Sequence, residues 1–195
     1  MEILREEDTV RAAENWLRDR LQRYRATSLF LPAGETPRPL YAKWRAEKPA
    51  FLDGVRLQQV DDVIDGPGKG LFARFFDEEL PGFGVEVPQN GAPAELAILG
   101  FGTNGHIAFH EPHLPPSFSF GEVRLEADTC ARLKLPDGTR GISYGAGAFL
   151  KARAILLIVK GAGKKEAWDR FKAGDARLPS VRLKHHPDLT VWTDF

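Results

Sequence analysis

Residues 99–112 read LGFGTNGHIAFHEP, with three glycines, two histidines, an asparagine and a glutamate in one short stretch. Imidazole exchanges protons near neutral pH, and a nearby carboxylate can orient and tune it, so His106 with Glu111 forms an acid/base candidate. A lone histidine is usually structural. The glycines shift the balance, because Gly100, Gly102 and Gly105 let the backbone approach a ligand closely. Asn104 tolerates a left-handed conformation, and His106 is expected to begin a short turn of helix that Pro112 ends. The grouping of His106, His110 and His113 around Glu111 also raises a metal site. Against it stand the missing H-E-x-x-H pattern and Pro112, which stops one helix face from holding all three rings.

Two other stretches carry chemistry. In QVDDVIDG, Asp61 and Asp62 directly follow an apolar run, with Asp65 and Gly66 close behind. Adjacent carboxylates can supply a general base whose pKa is raised by its neighbour and by burial; they can equally be turn and N-cap residues for a helix starting near Gly68. In LFLPAGETP, Thr36 reads as an N-cap and Pro37 as the first helical residue, after the small residues Ala33 and Gly34. A helix start behind a small-residue loop offers free N–H groups and a positive dipole end, which suits a phosphate; the plain alternative is a capped β-to-α turn.

These groups can meet only if strand ends converge. Apolar runs at 27–32, 55–60, 95–101, 154–160 and 189–193, bounded by Gly, Pro or charge, read as strands. An amphipathic helix is expected over 5–24, where Val10, Ala13, Leu17, Leu21 and Tyr24 form one stripe. Further helical patterns lie at about 37–47, 68–79, 146–152 and 163–173, and VRLEAD with GISYG suggests a short hairpin about the turn PDG. Alternation of strand and helix implies one α/β domain over 1–195, a Rossmann-like, doubly wound, mostly parallel sheet with helices on both faces. In such sheets ligands bind beyond the carboxyl ends of the strands, where all three motifs fall.

Composition narrows the partners. Lys plus Arg and Asp plus Glu both number 27, so the formal charge is zero and no global field favours nucleic acid or an anionic membrane. No run approaches the roughly 18 apolar residues of a membrane span. One cysteine, Cys130, excludes an intrachain disulfide, and MEILREEDTV lacks a secretion signal, so a cytoplasmic protein is expected.

LGFGTNGHIAFHEP closely resembles the L-G-x-G-x-D-G-H-I-A-F-N-E-P signature of the glucosamine-6-phosphate deaminase (isomerase) family. LFLPAGETPRPLY is similar to the family's phosphate loop, VDDVIDG to its M-D-E-Y-x-G, VKGAGKKEAW to a segment near the sugar phosphate, and LPSVRLKHHPDLTVWTD to its ending. Sister 6-phosphogluconolactonases share the fold but usually carry G-H-T-A-S-L-F-P. The resemblance implies an aldose-to-ketose isomerisation with loss of the C2 amine as ammonia, without metal or organic cofactor. It assigns Asp61 as the C2–C1 proton carrier, His106 as the ring-opening acid/base and Glu111 as its orienting partner. Asn104 takes the place of an aspartate that also attends the histidine. Gly34, Thr36 and Lys164 would hold the phosphate of a small sugar-phosphate substrate, with Asp62, Gly102 and Gly105 lining its site. A lid arginine aligns with either Arg132 or Arg140. Ala33, Glu35 and His110 also depart from the family pattern, and the short chain implies a monomer or small homo-oligomer. Two other readings remain open, a lactonase-like hydrolase and a non-catalytic sugar-phosphate sensor.

Overall fold

The computed structural model describes residues 1–5 and 8–195. Strands β1 (Glu2–Leu4), β2 (Ser28–Leu31), β3 (Arg56–Gln59), β5 (Leu96–Gly100), β8 (Ala154–Val159) and β9 (Leu189–Thr193) form a six-stranded sheet in the order β1-β9-β8-β5-β2-β3. Every pairing in it is parallel. All six residues of β8 are buried, as expected of a strand covered on both faces. Its side chains alternate between two cores. Ile155, Leu157 and Val159 pack with Ala97, Leu99, Trp168 and Phe171 on one side; Leu156 and Ile158 pack with Leu96, Ile98, Leu17, Tyr41 and Trp44 on the other.

Helices α1 (Thr9–Tyr24), α2 (Arg38–Glu47) and α3 (Leu71–Glu79) supply the second core, while α5 (Ala146–Phe149) and α6 (Lys165–Ala173) supply the first. A second, antiparallel sheet in the order β4-β7-β6 joins β4 (Asp61–Val63), β7 (Arg140–Tyr144) and β6 (Phe120–Arg124), with α4 (Ala127–Leu133) inserted between β6 and β7. Its own small core contains Val63, Phe109, Val123, Leu125 and Cys130. Val60 joins the two sheets, donating its N–H to Leu31 O of the first and accepting from Tyr144 N of the second. Among the described residues no helix is long and apolar enough to cross a membrane.

Several expectations change. The expected pairing of VRLEAD with GISYG forms, Val123 opposite Gly141 and Arg124 opposite Arg140, but the connection holds α4 ahead of PDG rather than a tight turn, because ADTCARL buries Thr129 and Cys130. Asp61 and Asp62 lie in β4, not in a turn. β1 was not expected: three residues give no periodicity, and it forms because β9 offers a free edge. The helix expected over 5–24 begins at Thr9, where the Asp8 carboxylate accepts from Arg11 N; its residues 6 and 7 lie outside those described. The 68–79 pattern becomes a 3₁₀ turn at Gly66–Gly68 and then α3, divided by Gly70 at φ 72°. The 146–152 pattern gives only the four residues of α5, and 163–173 opens with a 3₁₀ turn at Ala162–Lys164 before α6. Pro37, not Thr36, occupies the N-cap of α2, and no side chain caps that helix.

Candidate active site

The strand order reverses between β2 and β5, which is where an open α/β sheet leaves a crevice. A cavity of about 250 Å³ lies there. The loop after β2 contributes Gly34, Glu35 and Thr36, and the loop after β5 contributes Gly102, Thr103 and His106. The junction of the two sheets contributes Asp61, α4 contributes Arg132 and Leu133, and the loop after β8 contributes Lys164. Val60, Phe72, Phe101 and Phe109 form apolar walls.

The two aspartates divide the roles that the sequence left open. Neighbours in a strand face opposite ways. Asp62 accepts from Phe72 N at 2.8 Å and Ala73 N at 3.1 Å, so it caps the start of α3 from across the fold, and it also accepts from Val63 N and Gln59 Nε2. Asp61 faces the cavity, is 5% exposed, and receives no hydrogen bond at its carboxylate from the described residues. Burial, reinforced by the Asp62 charge, holds its pKa well above the usual carboxylate range despite the opposing pull of Arg132.

His106 sits on the Gly-rich loop, which is irregular and contains no helical turn. Gly102 N–H donates to His106 O, and a Cβ on Gly102 would meet the imidazole at 2.5 Å, so only glycine lets the ring lie there. Gly105 is needed for a different reason: its φ is 79°, the left-handed region. Asn104 is not among the left-handed residues; its Oδ1 accepts from His106 N at 3.2 Å, which bends the loop.

Arg132 Nη2 lies 3.4 Å from His106 Nε2. Guanidinium can only donate, so Nε2 accepts and the ring proton resides on Nδ1. Nδ1 faces Glu111 Oε2 at 3.9 Å, too long for a hydrogen bond. Among the described residues Nδ1 and both Glu111 oxygens are buried without a partner. Burial first, then the charges of Arg132 and Lys164, push the His106 pKa down to about 3, while burial pushes that of the fully enclosed Glu111 up. Lys164 Nζ reaches Thr36 Oγ1 at 3.4 Å, so two cations and a hydroxyl border the same end of the cavity. The arrangement can hold an anion at that end and move protons at the other.

A scan against models of known protein families gives no match. Among curated relatives, the glucosamine-6-phosphate deaminase of Bacillus cereus (strain G9842) is 30% identical over 200 residues, spanning 86% of this chain and 75% of the relative. That of Bacillus anthracis (strain CDC 684 / NRRL 3495) matches at the same 30% over the same 86% of this chain and 75% of its own. The chain belongs to the glucosamine-6-phosphate deaminase family. Solved structures agree on the fold. A monomeric glucosamine-6-phosphate deaminase, described as a missing link of the NagB superfamily, superposes with a TM-score of 0.79 at 19% identity, covering 99% of this chain and 97% of that one. The 6-phosphogluconolactonase from Thermotoga maritima gives 0.72 at 18% identity, with 98% of each chain covered.

The departures from the deaminase signature now have physical readings. Glu35, beside the anion end, turns outward: its side chain is 86% exposed and pairs with Arg38 at 3.3 Å. Asn104 supports the loop backbone and not the imidazole. His110 Nδ1 accepts from Ala146 N at 3.0 Å and its ring packs on Phe118, so this residue braces α5; burial lowers its pKa to about 4. His113 pairs instead with Glu126, so the three histidines go to three separate sets of partners. Of the two candidate arginines, Arg132 borders the cavity, whereas Arg140 is held on the small sheet by Asp65 and Glu122. Asp62, Asn104, Gly105 and Glu111 stand behind the cavity wall. Its apolar walls, Phe72 and Phe109 above all, carried no sequence signal, because they read as ordinary core residues. Arg132 could have been singled out only by recognising ADTCARL as a helix.

Proposed function

We propose that this chain is a glucosamine-6-phosphate deaminase-type enzyme, converting the amino-sugar phosphate and water to fructose 6-phosphate and ammonia. The observation that carries this reading is the convergence of Asp61, His106, Arg132 and Lys164 on one cavity at the sheet's switch point. Lys164, Arg132, Thr36 and the Gly34 backbone hold the phosphate. Burial first, and then these two cations, suppress protonation of His106; the phosphate charge offsets the cations and so favours passing a proton through the imidazole to the ring oxygen as the pyranose opens. Glu111 receives the Nδ1–H side of the ring. Asp61, with its basicity raised by burial, takes the C2 proton and returns it to C1, and the amine leaves C2 with a water-derived oxygen in its place. The reading needs no cofactor, and it places the protein in the cytoplasm as one domain over 1–195. A monomer fits the monomeric deaminase that shares its fold.

The deciding experiment incubates purified protein with glucosamine 6-phosphate and follows ammonia and fructose 6-phosphate. Stoichiometric release of both is expected. The fold shared with the Thermotoga maritima lactonase favours one second reading, hydrolysis of a sugar-phosphate lactone. Lactone hydrolysis without ammonia release would decide for it, and binding without turnover of either compound would leave a sugar-phosphate sensor.

A further inference from the structure

Thr129 lies in α4 one turn ahead of Arg132, is 1% exposed, and has no part in the chemistry above. A threonine inside a helix ordinarily turns its hydroxyl back to the carbonyl one turn earlier. Among the described residues this one makes no such bond. Its Oγ1 instead accepts from Arg132 Nη2 at 3.4 Å, and that same nitrogen reaches His106 Nε2 at 3.4 Å. One guanidinium nitrogen carries two hydrogens, so it can serve both acceptors at once.

The hydroxyl has more to give. It holds one proton and two lone pairs, and accepting from Arg132 leaves its proton for another partner. The group it faces is Glu111, and it draws that carboxyl's pKa down against the upward push of burial, although the two side chains fall short of hydrogen-bond geometry. Glu111 stands 3.9 Å from His106 Nδ1. Thr129 is therefore bonded to the partner of one imidazole nitrogen and acts electrostatically on the carboxyl that stands behind the other.

We propose that Thr129 is a positioning residue for His106: its hydroxyl steadies Arg132 against one imidazole nitrogen and Glu111 behind the other, and so sets which nitrogen carries the proton. The kinetic consequence rests on the deaminase reading; the effect on the imidazole does not. Other charged groups facing the ring are Lys164, from the loop after β8, and, through the shared cavity, Asp61 from β4.

The test compares Thr129→Val, which keeps the branched shape and removes the hydroxyl, with Thr129→Ser, which keeps the hydroxyl. Nitrogen NMR of His106 in the ligand-free protein should show an unprotonated Nε2 and a protonated Nδ1 in the parent and the serine variant. The valine variant should shift toward the other tautomer. With glucosamine 6-phosphate, kcat/KM should fall at least tenfold in the valine variant and stay within threefold of the parent in the serine variant. If the valine variant fails to fold, Thr129→Ala takes its place. An unchanged His106 tautomer without the hydroxyl overturns the proposal, as does a serine variant as impaired as valine. A parent protein that releases no ammonia defeats the deaminase reading alone, and the NMR comparison then decides Thr129 by itself.

Discussion

Replacing Asp61 with asparagine should cripple the enzyme and stabilise the protein together. The side chain is 5% exposed and no hydrogen bond from the described residues reaches its carboxylate, while burial and the Asp62 charge raise its pKa well above the usual range. A carboxyl that binds its proton more tightly in the folded state destabilises that state as pH rises from the unfolded pKa toward the folded one. Each unit of upward shift costs about 1.4 kcal/mol once the group is ionised. Asparagine keeps the shape without the charge. It carries no such cost, so at pH 7 the Asp61→Asn variant should melt higher than the parent. Near pH 3, where the parent carboxyl is protonated, the two melting temperatures should converge. Turnover should fall by at least about 100-fold under the proposed role of Asp61 in proton transfer. Thermal melts from pH 3 to 8, beside an ammonia-release assay, read both effects. A variant that is less stable at pH 7, with a melting profile parallel to the parent's, would refute the electrostatic reasoning. Turnover near the parent's would remove Asp61 from the chemistry.

His106 and His110 have folded pKa values lowered to about 3 and about 4, so the unfolded chain takes up protons first and the stability they contribute is lost as pH falls below about 6.5, against the opposite trend of Asp61 and Glu111; in denaturant titrations, His110→Gln should lose less stability than the parent between pH 7 and pH 5. Arg132→Met should weaken inorganic phosphate binding at least tenfold by calorimetry, whereas Arg140→Met, which breaks only pairs on the small sheet, should change it less than threefold. Glu35→Gly should alter phosphate affinity by less than threefold, because the carboxylate is turned to solvent beside Arg38; a tenfold gain would mean that it faces the ligand. Asp62→Ala strips the cap from the start of α3 and should cost about 2 kcal/mol or more in chemical denaturation, visible as lost protection of the Phe72 and Ala73 amides in hydrogen exchange.

The parallel sheet and the motifs around its crevice follow from local residue patterns. Runs such as AILLIV are apolar on both faces, which only a strand covered by helices on both sides can satisfy, and they alternate with helical stretches in chain order. LGFGTNGHIAFHEP identified its histidine because glycine spacing is a local constraint, and locality is what a linear sequence records. Tertiary structure alone decided the rest. Asp61 and Asp62 are equivalent as letters; which of them caps a helix and which enters the cavity depends on the face of β4 that α3 packs against, a contact between residues ten positions apart. The choice between Arg132 and Arg140 turned on α4, the helix inserted between the paired strands, which brings Arg132 to the cavity while the small sheet holds Arg140 with Asp65 and Glu122. The charge on His106 was decided there too. A histidine's pKa follows what surrounds it, and here burial, Arg132 and Lys164 arrive from three distant parts of the chain to set it.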